Sequence, residues 1–251
     1  MRDHRTEHAD QSRDKYVIVF FHGYGSGGAQ MKDHVGGKLM PQAPGCVLRC
    51  PDGPQKIAEH DGASYHSWFD IQDILDNPSV DAVAPRAAAA VEEVNKYIDR
   101  VLKEEGIDES RLIIAGFSQG ATMAYYAALM RDKPAAGVYS LSGGALRQIF
   151  NIKSKPPIAL LAGEHEQNNY SGLPHAQETH GFLEAQGFRT DCVMLHGQGH
   201  DISDKAVELL AKLAEILIPV KAPANAATKD SDVKKNAQQD HKKKQPPGFS
   251  P

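Results

Sequence analysis

Short apolar runs and helix-periodic stretches alternate along almost the whole chain, and this alternation limits the fold more than any other feature. KYVIVFF (15–21) reads as a buried strand and CVLRC (46–50) as a second. Further strands are expected at 111–115, 137–141, 157–162 and 189–195, with helices at 119–131, 174–186 and 203–217 and a short one after the loop 22–29. The clearest helix is 85–104, where Ala87, Ala90, Val91, Val94, Tyr97, Ile98, Val101 and Leu102 make one apolar stripe. Strands separated by helices must run mostly parallel, and a parallel sheet needs helices over both faces. The expected class is therefore α/β, with ligands bound outside the carboxyl ends of the strands.

Composition sets the limits of the folded part. The chain has 251 residues, 41% hydrophobic and 24% charged, which suits one globular domain with tails. Residues 1–14 are charged and aperiodic and are expected to be disordered. The segment 220–251 is rich in Lys, Ala, Asn and Gln with Pro246 and Pro247, and is expected to be a second disordered tail. The domain then spans 15–219, with a polar loop over 51–67. The tail carries seven Lys against three Asp within a net charge of −4, so the body is acidic. An acidic body without an Arg-rich face argues against nucleic acid as the partner. No apolar run has the length of a membrane span and no N-terminal apolar leader is present, so stable membrane insertion is not expected and a cytoplasmic location is. Cys46 and Cys50 lie too far apart on one strand to bridge, and Cys192 reads as a core residue.

The join between strand 111–115 and helix 119–131 reads Gly116-Phe117-Ser118-Gln119-Gly120. A strand running straight into a helix makes a tight turn with the serine at its apex. Flanking glycines let the backbones approach without a Cβ clash. Such an elbow presents the hydroxyl at the carboxyl edge of the sheet, above the helix N-terminus. Ser118 is therefore a candidate nucleophile, and the alternative is a serine N-cap on an ordinary turn.

Other strand ends supply possible partners. The first strand ends in FFHGYGSGG (20–28). Its Gly23-x-Gly25-x-x-Gly28 spacing fits a dinucleotide fingerprint, but the loop leads into no clean helix and the second strand lacks a terminal acid for a ribose. Under a hydrolase reading the loop supplies an oxyanion-hole amide, that of Tyr24, and the amide of Gln119 supplies the second. His22 is then an orienting residue beside the substrate pocket. The last strand ends in MLHGQGHDIS (194–203), where His200 is placed for a general base. His196 with His200 is the metal alternative, disfavoured because Gly197 and Gly199 oppose a helical ligand pair.

GFSQGA (116–121), FFHGYGSGG, SWFDI (67–71), LSGGAL (141–146) and GQGHDIS (197–203) together resemble the phospholipase/carboxylesterase branch of the α/β-hydrolases, which includes acyl-protein thioesterases. The resemblance covers residues 15–218. It implies an α/β-hydrolase fold without a large cap domain, a serine esterase using Ser118 and His200, and Trp68 near the acyl or alcohol pocket. The family's pattern after strand 157–162 carries an Asp, whereas AGEHEQNNYSGLP (162–174) puts Glu166 there, with Glu164 the nearest rival. Asp201 adjoins His200 and Asp191 lies near the start of a strand, at the wrong end of the sheet. The expected activity is hydrolysis of a small-molecule or lipid ester, short-chain because the segment 51–66 is charged. No metal or organic cofactor is required, and a monomer or weak homodimer is expected. The alternatives are an acyl-protein thioesterase or lysophospholipase, a catalytically silent binding protein, and a nucleotide-dependent oxidoreductase.

Overall fold

The computed structural model describes residues 1–7, 14–71, 80–144, 151–166 and 176–219. Among these, seven strands form one sheet: β1 (Asp3–Glu7), β2 (Tyr16–Phe21), β3 (Cys46–Pro51), β6 (Leu112–Phe117), β7 (Gly137–Leu141), β8 (Ile158–Gly163) and β9 (Thr190–Leu195). Their order is β1-β3-β2-β6-β7-β8-β9, all parallel except β1. The α-helices are α1 (Gly28–Leu39), α2 (Val80–Glu105), α3 (Gln119–Leu129) and α4 (Ala176–Ala185), which cross between strands, and α5 (Asp204–Leu217), which follows β9. The segment 220–251 lies outside the described residues, as does QNNY (167–170).

Side chains alternate across a strand, and β2 shows what that does here. Val17, Val19 and Phe21 enter a core built with α2, α3 and α4, whereas Tyr16, Ile18 and Phe20 enter a second core built with α1 and α5. Both faces are dry, so the run is apolar without interruption. Pairing sets Phe21 opposite Gly116, so β2 and β6 end side by side and the loops that follow them leave the sheet together.

Two expectations need correction. Asp3–Glu7 is not a frayed tail but an edge strand, antiparallel to β3. No apolar alternation announces it because ion pairs hold it. Arg49 of β3 is buried and donates to Asp3 Oδ2 at 2.6 Å and Glu105 Oε1 at 2.7 Å, and it also pairs with Glu104. Arg5 and Lys15 reach Glu105 at 3.0 and 3.1 Å, and Tyr97 donates to Asp3 Oδ1 at 2.8 Å. The polar segment after β3 is likewise not all loop. It contains a hairpin, β4 (Gln55–His60) with β5 (Ala63–Ser67), turned at Asp61–Gly62. Both turn residues have positive φ (50° and 78°), as a two-residue hairpin turn with matching twist needs.

The buried charge network should dominate the stability of this edge. Arg49→Ala leaves Asp3 with Tyr97 as its remaining side-chain partner and Glu105 with Arg5 and Lys15, and should lower the unfolding free energy by about 3 kcal/mol. Urea denaturation measures this; a loss below about 1 kcal/mol would mean that the backbone ladder alone holds β1.

Candidate active site

β6 delivers Ser118 into a turn that few side chains tolerate. Its φ of 54° and ψ of −120° lie outside the usual regions for an L-residue, and α3 starts at the next position. The strain is held from several sides. Ser118 N donates to Leu141 O at 2.9 Å, and Ser118 O accepts from Ala121 N and Thr122 N. The flanking glycines are required by close approach. A Cβ on Gly116 would stand 2.3 Å from Gly120 O, and one on Gly120 would stand 2.2 Å from Phe21 O.

The loops after β8 and β9 bring the other candidates to this apex. His200 Nε2 lies 3.0 Å from Ser118 Oγ, and its Nδ1 lies 3.2 Å from Glu166 Oε1. A carboxylate can only accept, so Nδ1 carries the ring proton and Nε2 is left to accept from the hydroxyl. Glu166 is mostly buried, at 10% side-chain exposure, against 44% for Glu164. Glu164 faces elsewhere: it pairs with His196 Nδ1 at 2.6 Å and accepts from Gly197 N at 3.1 Å. His196 is 93% exposed, and its Nδ1 is taken up by Glu164.

The loop after β2 is braced from below. His22 is fully buried; its Nε2 accepts from Gly53 N at 2.9 Å, so Nδ1 holds the proton and donates to Gly23 O at 2.7 Å. Trp68 Nε1 donates to His22 O at 2.8 Å, and the indole packs on Phe21 and His22 at 4.8 and 4.9 Å. Trp68 is 1% exposed and His22 0%, so neither presents surface to a substrate. Both were expected close to the pocket, and in the structure they lie beneath the loop, where an indole N–H with a buried acceptor makes a support. His66 completes the brace through its backbone, donating to Ser26 O and accepting from Gly25 N.

Two contributors escaped the sequence reading. The Gln119 side chain accepts from Trp68 N at 3.0 Å and donates to Phe69 O at 2.8 Å, tying the start of α3 to the segment 67–69. Asp52 accepts from Gly28 N at 2.7 Å and so caps α1, whose own N-cap is Gly27. The signal was there for Asp52, an acid in the loop at the carboxyl end of β3. Nothing in the chain pairs Gln119 with residues about fifty positions away.

An elbow serine, an imidazole and a carboxylate at the carboxyl edge of a mostly parallel sheet define an α/β-hydrolase, a serine hydrolase by class. The family model described as Phospholipase/Carboxylesterase matches residues 3–218, and the chain belongs to that family. A curated relative, Acyl-protein thioesterase 1 homolog 1 of Dictyostelium discoideum, is 27% identical over 214 residues, covering 81% of this chain and 91% of the relative. Among solved structures, esterase PE8 matches with TM-score 0.74 at 21% identity, covering 85% of this chain and 97% of its own. Acyl-protein thioesterase 2 of Zea mays matches with TM-score 0.63 at 19% identity, covering 86% and 98%. These two likenesses are of fold.

Burial pushes the His22 imidazole down from 6.5 to about 4, with the bond to Gly23 O and the charge of Asp52 opposing only part of it. Between these values the unfolded chain binds a proton that the folded one refuses. Stability should therefore fall as pH drops through 6.5 towards 4, by up to about 3 kcal/mol from this group. His22→Leu should flatten that slope in urea titrations across the window, whatever its cost at neutral pH. An unchanged slope would remove His22 as the source.

Proposed function

We propose that this protein is a carboxylesterase that hydrolyses short-chain carboxylic esters through an acyl-enzyme on Ser118, with His200 as general base and acid and Glu166 as the third member. The observation that carries this reading is the hydrogen-bonded chain Ser118–His200–Glu166 at 3.0 and 3.2 Å. Ser118 Oγ attacks the ester carbonyl carbon while its proton passes to His200 Nε2. The tetrahedral oxyanion is held by the amides of Tyr24 and Gln119, each such donor supplying about 3–4 kcal/mol. Collapse breaks the bond to the leaving alkoxide, which takes the proton from Nε2. Water then repeats the sequence on the acyl-enzyme. Glu166 stabilises the imidazolium formed in each half and holds its tautomer.

The hairpin sets the expected chain-length preference. Lys56, Glu59, His60 and Asp61 are exposed there, and its strand β5 joins the oxyanion loop through Ser26 and His66. Apart from Ile57, such a rim offers little apolar surface, and each added acyl CH₂ contributes about 0.8 kcal/mol only where it is buried. A thioesterase reading draws on the curated relative's name. A silent binding protein would need no hydroxyl aligned on an imidazole.

Ser118→Ala should lower p-nitrophenyl acetate hydrolysis at least about a thousandfold and leave near-UV circular dichroism unchanged. Retained fluorophosphonate labelling elsewhere with full activity would remove the nucleophile. Glu166→Gln should cost about 10³–10⁴ in kcat, and Glu166→Asp should recover only part because the arm is one methylene short. If Glu164→Gln is inactive and Glu166→Gln is not, the acid is misassigned.

A series of p-nitrophenyl esters of increasing acyl length is the second test. Activity should be greatest at about C2–C6 and fall beyond. A kcat/KM rising steadily to palmitoyl esters and thioesters would replace this reading with the thioesterase one.

A further inference from the structure

The imidazole of His200 is fixed at both ring nitrogens, by Ser118 and by Glu166. Bonds at opposite sides of a ring define a line, and the ring can still swing about that line. Phe117 packs against the imidazole, its ring centroid 4.8 Å away at an interplanar angle of 41°. Phe117 is the last residue of β6 and is paired with Leu141 of β7, so its backbone is held in the ladder. The same ring also stands close to the loop after β2. A Cβ built on Gly23 would come 3.2 Å from Phe117 Cδ1 and 3.5 Å from Cε1. Gly23 lies between His22, which fixes its carbonyl, and Tyr24, whose amide is the proposed oxyanion donor. Phe117 thus packs against the imidazole and leaves no free room for a Cβ at the start of the oxyanion loop, and it is only partly buried.

We propose that Phe117 is a positioning residue for the hydrolysis: its ring is the spacer that sets the imidazole of His200 relative to the oxyanion loop. The proposal rests on the Ser118–His200–Glu166 reading above. It gives a chemical task to a position that the Gly-x-Ser-x-Gly pattern leaves open. It also gives Gly23 a task, since any side chain there must push the ring by a few tenths of an ångström. That displacement passes to the imidazole, where proton transfer depends on alignment. Leucine fills some of the volume but has no ring face, whereas tyrosine keeps the face.

A mutant cycle tests this in the full chain, with kcat and KM measured on p-nitrophenyl acetate and melting temperature followed alongside. Gly23→Ala should lower kcat about tenfold or more and change KM less than about threefold. In the Phe117→Leu background the same substitution should cost less than about threefold, because the ring that transmits the push is gone. The component passed directly to Ser118 Cβ, 3.4 Å from the added Cβ, persists in both backgrounds and is subtracted by the cycle. Phe117→Leu alone should lose about tenfold in kcat, while Phe117→Tyr stays within about threefold of wild type. Equal losses from Gly23→Ala in both backgrounds, or wild-type kcat in Phe117→Leu, would overturn the spacer. If Gly23→Ala does not fold, the Leu and Tyr variants decide alone. Ser118→Ala assayed in the same series separates the two levels. Wild-type activity there overturns the nucleophile reading and this proposal with it; an inactive Ser118→Ala with additive losses overturns the spacer only.

Discussion

Everything at the carboxyl edge depends on how closely the first turn of α3 approaches the end of β2. Gly120 sits against Phe21 O and His22 O, where a Cβ would stand 2.2 and 2.4 Å from the two oxygens. Because of that contact, the helix that carries Gln119 and the loop that carries Tyr24 start from one place. Moving the helix out by the width of a methyl group would separate the two amides proposed to share an oxyanion. It would also remove the support that keeps Ser118 in its strained conformation, a state costing about 1–3 kcal/mol that only a well-determined surrounding can hold.

That surrounding is polar as much as it is apolar. Beneath the elbow, His22, Trp68, Gln119 and Gly53 exchange hydrogen bonds in a region shielded from water. Buried polar groups are costly when unpaired, so such a network permits few arrangements. It therefore acts as a template for the loops above it. The same logic appears at the far edge of the sheet, where Arg49 gathers Asp3, Glu104 and Glu105 and binds a strand with no apolar alternation.

The parts legible from the residues were those governed by local periodicity. β2, α2 and the strand–elbow–helix unit follow from apolar spacing and from glycines at fixed offsets, although α2 starts at Val80, ahead of Pro85 and of the 85–104 expected. The edge strand Asp3–Glu7 was illegible because its partners are Arg49, Glu105 and Tyr97, far along the chain. The β4–β5 hairpin carried a readable signal in Asp61–Gly62, outweighed by its polar composition. His22 and Trp68 were assigned to the site region, but the direction their side chains take is set by packing beneath the loop.

What the sequence by itself determined is the α/β order of elements, the elbow that isolates Ser118, and the short set of candidates at the strand ends. Each depends on the identity of neighbours a few positions apart, which a reader of one chain can see. The choice between Glu164 and Glu166 as the neighbour of His200 depended on the tertiary structure. Both acids leave the same strand two residues apart. Only the packing of the loops after β8 and β9 turns one toward the imidazole at 3.2 Å and the other toward His196 and Gly197. The closeness of Phe117 to both Gly23 and His200 is of the same kind. It joins three segments distant in sequence, and no local pattern encodes a contact that exists only once the strands have aligned.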